Sequence, residues 1–243
     1  AYMYALPYEY YDKYRVRKYG FHGTSHSFVS DRAADLEGKD KKDLKIITCH
    51  LGNGCSISAI KNGECVDTSM GLTPLEGVMM GTRSGDIDGG AVSFIQKKLN
   101  LDADGISNLL NKKSGLLAVG GTGTGDMRDL CDAVNAGNKQ AKIAMDMFSH
   151  RIVFYIGAYY ALLGKIDGIV FSGGIGENSN QARKAICDRL AGLGVKLDEA
   201  KNADTHGSLE RISTDDSLPV WVIPTNEELM IALDTERDNY LSA

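Results

Sequence analysis

The stretch KIITCHLGNGCSISAIKNGECVDTS, residues 45–69, decides the fold. KIITCHL is a short apolar run with strand composition. Gly52-Asn53-Gly54 breaks it with a strong turn signal, and CSISAI then alternates as a second strand. Asn62-Gly63 turns the chain again, and ECVDTS reads as a third strand. The spacing predicts an antiparallel three-strand meander closed by two tight turns.

On the amino-terminal side, residues 24–36 read as a helix entered from Gly23 and left at Gly38. On the other side, the glycine-rich stretch 70–90 is too long for a mere connector. Helices are predicted near 91–99 and 106–111, and a loop over 112–125 leads into a helix from Asp126. The strongest helix is 139–163, where Ala141, Met145, Phe148, Ile152, Ile156, Tyr159 and Leu163 share one stripe, and Gly164 ends it. DGIVFSGG, 167–174, is a buried strand with a glycine turn. A helix from Asn178 to about 191, a strand PVWVIP at 219–224 and a helix from Thr225 follow. A meander followed by strand–helix alternation predicts an α/β layered fold with a mixed sheet, in one continuous domain.

Composition narrows the function classes. Apolar residues make up 43% and charged residues 24%, as in ordinary globular proteins. A net charge of −5 gives no footprint for nucleic acid or an anionic membrane. The apolar run 152–163 is too short to span a bilayer. AYMYALPYEYYDKY lacks the basic and apolar regions of a signal peptide and reads as the start of an internal stretch. The five cysteines, Cys49, Cys55, Cys65, Cys131 and Cys187, are odd in number and have no CxxC spacing. They read as small buried hydrophobes in a reducing cytoplasm.

Several glycine-rich blocks could carry chemistry. In HLGNG, two glycines allow close backbone approach to a phosphate and Asn53 adds an amide; a plain Asn-Gly turn fits as well. SGGIGEN, 172–178, follows a buried strand and suits an anion or a polar nucleotide group, or serves only as a tight turn. GTGTGD, 121–126, is a phosphate cradle or a flexible loop, with Asp126 and Arg128 as ribose readers or helix-start charges. Arg83, alone in GTRSGDID, offers a planar fork for phosphate or carboxylate, or makes a surface ion pair. GFHGTSH places His22 and His26 beside a helix start, as hydrogen-bond donors to a phosphoryl oxygen or as capping or packing groups. In TNEE, Thr225 is the expected N-cap and Glu228 the capping-box partner, which leaves Glu227 for a metal. Together the blocks suit phosphoryl transfer, where catalysis is mostly positioning and charge stabilisation.

RKYGFHGTSH, ITCHLGNG, DTSMGLTPLEGVMMGTRSGDID, FSGGIGEN and VIPTNEELMIA, in that order, resemble the hallmark blocks of the acetate kinase family. The resemblance runs over essentially the whole chain. It implies an α/β, RNase H-like domain of the actin, sugar-kinase and Hsp70 type, with a mixed sheet and helices on both faces. Residues 1–243 would then be the family's second, nucleotide-binding domain with the final helix 225–241, and the first domain would have no counterpart. The implied reaction is reversible, direct in-line phosphorylation of acetate by ATP, with little activity in this chain alone. The alternatives are a propionate or butyrate kinase, and a non-catalytic nucleotide-binding or dimerisation module.

By the same resemblance, His22 and Arg83 stabilise the phosphoryl group in flight. His50, Asn53 and Gly54 grip ATP or ADP phosphates. Asp126, Met127 and Arg128 lie around ribose and adenine, and Gly174, Ile175 and Asn178 form the adenosine-side turn. Glu227 is the acidic residue of a Mg2+ or Mn2+ site. A cytoplasmic homodimer acting on small molecules is implied, with no nucleic-acid or membrane partner. Two departures stand out: the 121–125 loop is one residue longer than the family pattern, and Gly89-Gly90 follows GDID where the family has Pro.

Overall fold

The structure is a computed structural model that describes residues 1–241. Its helices are α1 (Tyr8–Tyr14), α2 (Gly23–Glu37), α3 (Gly89–Leu99), α4 (Ala103–Lys112), α5 (Gly115–Val119), α6 (Met127–Asn135), α7 (Lys139–Leu163), α8 (Gly173–Asn178), α9 (Asn180–Cys187), α10 (Glu199–Asp204) and α11 (Glu227–Leu241). Its strands are β1 (Lys45–Leu51), β2 (Cys55–Lys61), β3 (Glu64–Thr68), β4 (Gly168–Ser172), β5 (Glu210–Arg211) and β6 (Val220–Val222). Contacts group the chain into two compact units. The first comprises 1–21, 52–57 and 68–157, and the second 22–51, 58–67 and 158 onward.

Most of the sheet belongs to the second unit, with strand order β3-β2-β1-β4-β6-β5. The expected meander is present as β1, β2 and β3. Asn62 (φ 59°) and Gly63 (φ 80°) give the two positive dihedrals of a hairpin turn whose twist matches the strands. β1 runs parallel to β4 with Ile46 opposite Gly168 and His50 opposite Ser172, and β4 runs parallel to β6. β5 pairs antiparallel to β6, so the sheet is mixed. Every residue of β4 is buried, as a central parallel strand requires.

Helix α2 packs on β1 and β4. Its Val29, Ala33 and Ala34 join Leu44, Ile46, Ile60, Val170 and Ile223 in one buried cluster, edged by Phe28, Leu36 and Trp221. Each large aliphatic side chain so buried contributes roughly 1.5–3 kcal/mol. Trp221 Nε1 donates to Glu37 Oε1 at 2.7 Å, so the half-buried ring packs on the cluster without stranding its N–H. Gly38 ends α2 in the left-handed conformation at φ 61°. α11 packs on α2 and buries Met230, while Leu229, Ile231 and Leu233 stay exposed.

In α7 the whole anticipated stripe, from Ala141 to Leu163, is buried. Its bounds and those of β1 match the sequence reading. Other elements differ. α1 was not anticipated: its aromatic-rich sequence has middling helix propensity and buries nothing. α5 lies inside the predicted loop 112–125, and the short α10 and β5 carried no periodicity long enough to read. Asn178 ends a helix rather than starting one, because Ser179 is the cap of α9 through its Oγ and Ala182 N. The cap of α11 is Asn226, not Thr225: Asn226 Oδ1 accepts from Leu229 N at 2.9 Å. Among the described residues, no helix is long and apolar enough to cross a membrane.

Candidate functional site

In the second unit, the carboxyl ends of the parallel strands gather the candidate residues. Open α/β sheets bind ligands at that edge. β1 ends in His50-Leu51, so His50 is a strand residue rather than part of the turn after it. β4 ends at Ser172 and passes directly into α8, and β6 leads through Thr225 to Glu227. Gly173 permits the sharp strand-to-helix reversal: its φ is 76°, and a Cβ there would lie 2.8 Å from Leu51 O.

Three histidines meet beside these ends. His22 occupies the N-cap of α2 at φ 60°, a left-handed conformation uncommon outside glycine. Its ring stacks on His50, with centroids 4.1 Å apart. His50 Nδ1 hydrogen-bonds Ser25 Oγ at 2.8 Å, and His26 Nδ1 hydrogen-bonds Thr48 Oγ1 at 2.7 Å. Burial pushes the His50 imidazolium down to about 4. Burial, reinforced by His50 and His22, pushes His26 down to about 3. Both rings are therefore neutral near pH 7. Sequence reading singled out His22 and His50 but missed Ser25, whose only signal was its place in the TSH triplet.

The SGGIGEN turn is pinned from below. Glu177 Oε1 accepts from Gly173 N at 2.9 Å and from Thr225 N at 3.1 Å, which ties the start of α8 to the segment leading to Glu227. Arg183, fully buried, donates to the carbonyls of Gly176 and Glu177. On the opposite side Gly174 is open: a Cβ there would meet nothing within 4 Å. Asn178 is exposed and donates from Nδ2 to Gly174 O at 3.0 Å. Ile175 is half-buried.

In the first unit, three glycine-rich segments converge backbone to backbone. Gly81 N donates to Asn53 O at 3.3 Å, and Cβ atoms at Gly81 and Gly125 would lie 2.3 Å from Asn53 Oδ1 and 2.5 Å from Gly81 O respectively. Asn53 and Gly54, the Arg83 loop and the Asp126 segment are thus neighbours. Asp126 is the N-cap of α6, and its carboxylate also takes Arg128 Nη2 at 2.6 Å. The hydrogen bonds from Arg128 hold the Asp126 carboxyl below its usual range. Met127 turns into the core, so its side chain faces away from solvent. Arg83 is half-buried, and Nη1 contacts Pro74 O at 3.3 Å and Met80 Sδ at 3.6 Å. Among the described residues it meets no carboxylate, so its charge remains available to an anion.

Residues 1–233 match the acetokinase family model. The chain belongs to that family. It is 61% identical over 236 residues to an acetate kinase of Phocaeicola vulgatus and 54% identical over 237 residues to one of Clostridium novyi. Each alignment covers 97% of this chain and 59% of the relative, so the chain spans less than two thirds of these acetokinase sequences. The crystal structure of Porphyromonas gingivalis acetate kinase superposes with a TM-score of 0.94 at 48% identity, covering 98% of this chain and 59% of that one. A propionate kinase structure from Francisella tularensis follows at 0.89 and 46% identity, covering 95% and 58%. The acetokinase fold, an actin-like ATPase domain with a mixed sheet, is therefore the fold of this chain.

Proposed function

We propose that this chain is the nucleotide-binding domain of an acetate kinase, which transfers the γ-phosphoryl group of ATP directly to acetate, reversibly, giving ADP and acetyl phosphate. The observation that carries this reading is the gathering of His22, His50, the Gly173–Asn178 turn and Glu227 at the carboxyl ends of parallel strands. In this reading Asn53 and Gly54 hold phosphate oxygens through amide groups. Asp126, Met127 and Arg128 border the ribose and base, and Met127 contributes main chain because its side chain is buried. Gly174, Ile175 and Asn178 border the adenosine. Arg83, which meets no carboxylate among the described residues, steadies charge on the transferring phosphoryl group, and His22 donates to one of its oxygens.

A divalent cation fits as a nucleotide-borne one. Among the described residues no group of three His, Cys, Asp or Glu could hold a metal alone. Glu227 is exposed, and near it in sequence the buried Thr225 Oγ1 has no hydrogen-bond partner among the described residues. That is the one-carboxylate pattern by which proteins hold Mg2+ together with substrate phosphates. When bound, Mg2+ or Mn2+ would neutralise charge on the phosphates.

The five free cysteines support a cytoplasmic setting. The exposed apolar residues Phe94, Leu99, Ile143 and Phe154 support a homodimer. The 46% identity to a propionate kinase favours one alternative, a longer acyl acceptor. Titration of this chain with Mg-ADP, beside Asn53→Ala, tests nucleotide binding: saturable binding that weakens in the variant supports it, and absence of saturable binding in both proteins sinks it. Comparing kcat/KM for acetate, propionate and butyrate in the full-length gene product tests the acceptor, and a preference for propionate replaces acetate.

A further inference from the structure

The loop over 70–90 carries Arg83, and its two limbs are tied together at both ends of a short hairpin. Near the tip, Met80 N donates to Arg83 O at 3.1 Å. Near the base, Asp86 N donates to Gly77 O at 2.8 Å, and Gly77 N returns a hydrogen bond to Asp86 Oδ1 at 2.8 Å. Gly77 and Asp86 thus bind each other twice. The arrangement needs glycine at two places: Gly77 has φ 112°, and a Cβ on Gly85 (φ 69°) would lie 2.5 Å from Gly77 O. The second carboxylate oxygen, Asp86 Oδ2, accepts from Tyr155 Oη at 2.7 Å. Tyr155 stands on α7, whose apolar stripe is packed in the core, so it is a fixed post. The side chain of Arg83 leans on Pro74 O and Met80 Sδ, both on this loop, and among the described residues no acidic partner aims it.

The geometry points to Asp86 and Tyr155 as the positioning pair of Arg83: Tyr155 fixes the Asp86 carboxylate, Asp86 fixes Gly77, and the closed hairpin sets where the guanidinium stands. Neither residue touches substrate. The inference rests on the reading of Arg83 as the group that steadies the phosphoryl in flight. Burial and the hydrogen bond to Asp86 both push the Tyr155 phenol above its ordinary value, so it remains a donor throughout the working range of pH.

The test uses Tyr155→Phe in the full-length gene product, with Arg83→Ala as reference. Tyr155→Phe removes one hydroxyl and keeps the packing. We expect kcat/KM for acetyl phosphate to fall about tenfold while KM for Mg-ADP stays within about twofold, a fold-change typical of one lost positioning hydrogen bond. In an Arg83→Ala background the same change has no further effect. Asp86→Asn retains size but presents a donor towards Tyr155, and reproduces the effect if Tyr155→Phe folds poorly. Wild-type kinetics for Tyr155→Phe and Asp86→Asn overturn the positioning role. So does a loss carried by KM for Mg-ADP with kcat unchanged, as does full additivity with Arg83→Ala. If Arg83→Ala itself keeps full activity, the reading of Arg83 has failed instead, and the positioning pair falls with it.

Discussion

The rings of His22 and His50 stack with their planes 23° apart, at the end of β1 and the start of α2. The contact joins a residue on strained backbone to one locked in a strand. His50 has no charge to repel its neighbour, because burial keeps it neutral, and Ser25 fixes one ring nitrogen. A buried polar shelf of this kind holds the His22 ring in place without adding charge to the site.

That neutrality has a thermodynamic consequence. His26 and His50 titrate near 3 and 4 in the fold, below their ordinary 6.5. The unfolded chain takes up protons below pH 6.5 that the fold refuses. Their contribution to stability is therefore complete above that pH and is lost progressively towards pH 4. With two sites the slope approaches about 2.7 kcal/mol per pH unit at its steepest. Urea midpoints measured between pH 7.5 and 4.5 should fall accordingly, and His26→Gln should flatten the curve. Midpoints that hold steady down to pH 5 would refute the neutral pair.

Arg183 makes a different kind of prediction. Its five N–H groups all reach oxygen: Asn202 Oδ1 and O, Gly176 O, Glu177 O and Thr205 O, at 2.8–3.0 Å. A planar fork satisfies all of them, and burial lowers its pKa to about 10 without releasing the proton at neutral pH. Arg183→Met should cost more than about 3 kcal/mol, because several buried carbonyls lose their donors. Arg183→Lys should not restore the loss, since three donors on one nitrogen cannot span the same oxygens. Equal stability of the Lys variant and the parent in urea would show that charge, rather than fork geometry, is what matters.

Gly174 separates folding from binding. Its φ is unexceptional and its Cβ position is empty in the ligand-free fold. Gly174→Ala should leave the melting temperature within about 2 °C, a change of a few tenths of a kcal/mol. If the turn lies against nucleotide, the added methyl should still weaken Mg-ADP binding about tenfold or more. Gly192→Ala, equally open and outside the turn, is the control. Unchanged affinity in Gly174→Ala would remove this turn from the nucleotide site.

Much of this was legible in the sequence, and the reason is periodicity. The 45–69 meander and α7 announced themselves because alternation and a 3.6-residue stripe are local properties. Asn226 as cap, α8 as a helix and the shift of Asn178 to a helix end were not legible, since adjacent Asn, Thr and Ser residues compete for one cap. The glycine blocks pointed to close backbone approach, and Gly81 and Gly125 do meet. Their partners were invisible: that Asp86 reaches Tyr155 across the chain, or that Arg183 braces α8, depends on tertiary contacts that no spacing encodes.

The Gly89-Gly90 departure offers the last prediction. Asp88 is the N-cap of α3, with Oδ2 accepting from Ala91 N at 3.1 Å, so Gly89 is the first helical residue. Proline is favoured there because its missing N–H is one the helix cannot use and its fixed φ suits the helix. The preceding residue must avoid the helical region, and Asp88 sits at φ −63°, ψ 129°. A side chain at 89 would meet no atom within 4 Å. Gly89→Pro should therefore stabilise the fold by about 0.4–1 kcal/mol, mainly by restricting the unfolded chain. The melting temperature should rise by about 1–4 °C for a chain of this length. A fall in melting temperature would mean that the amide of Gly89, or freedom in the Arg83 loop beside it, is needed by the folded state.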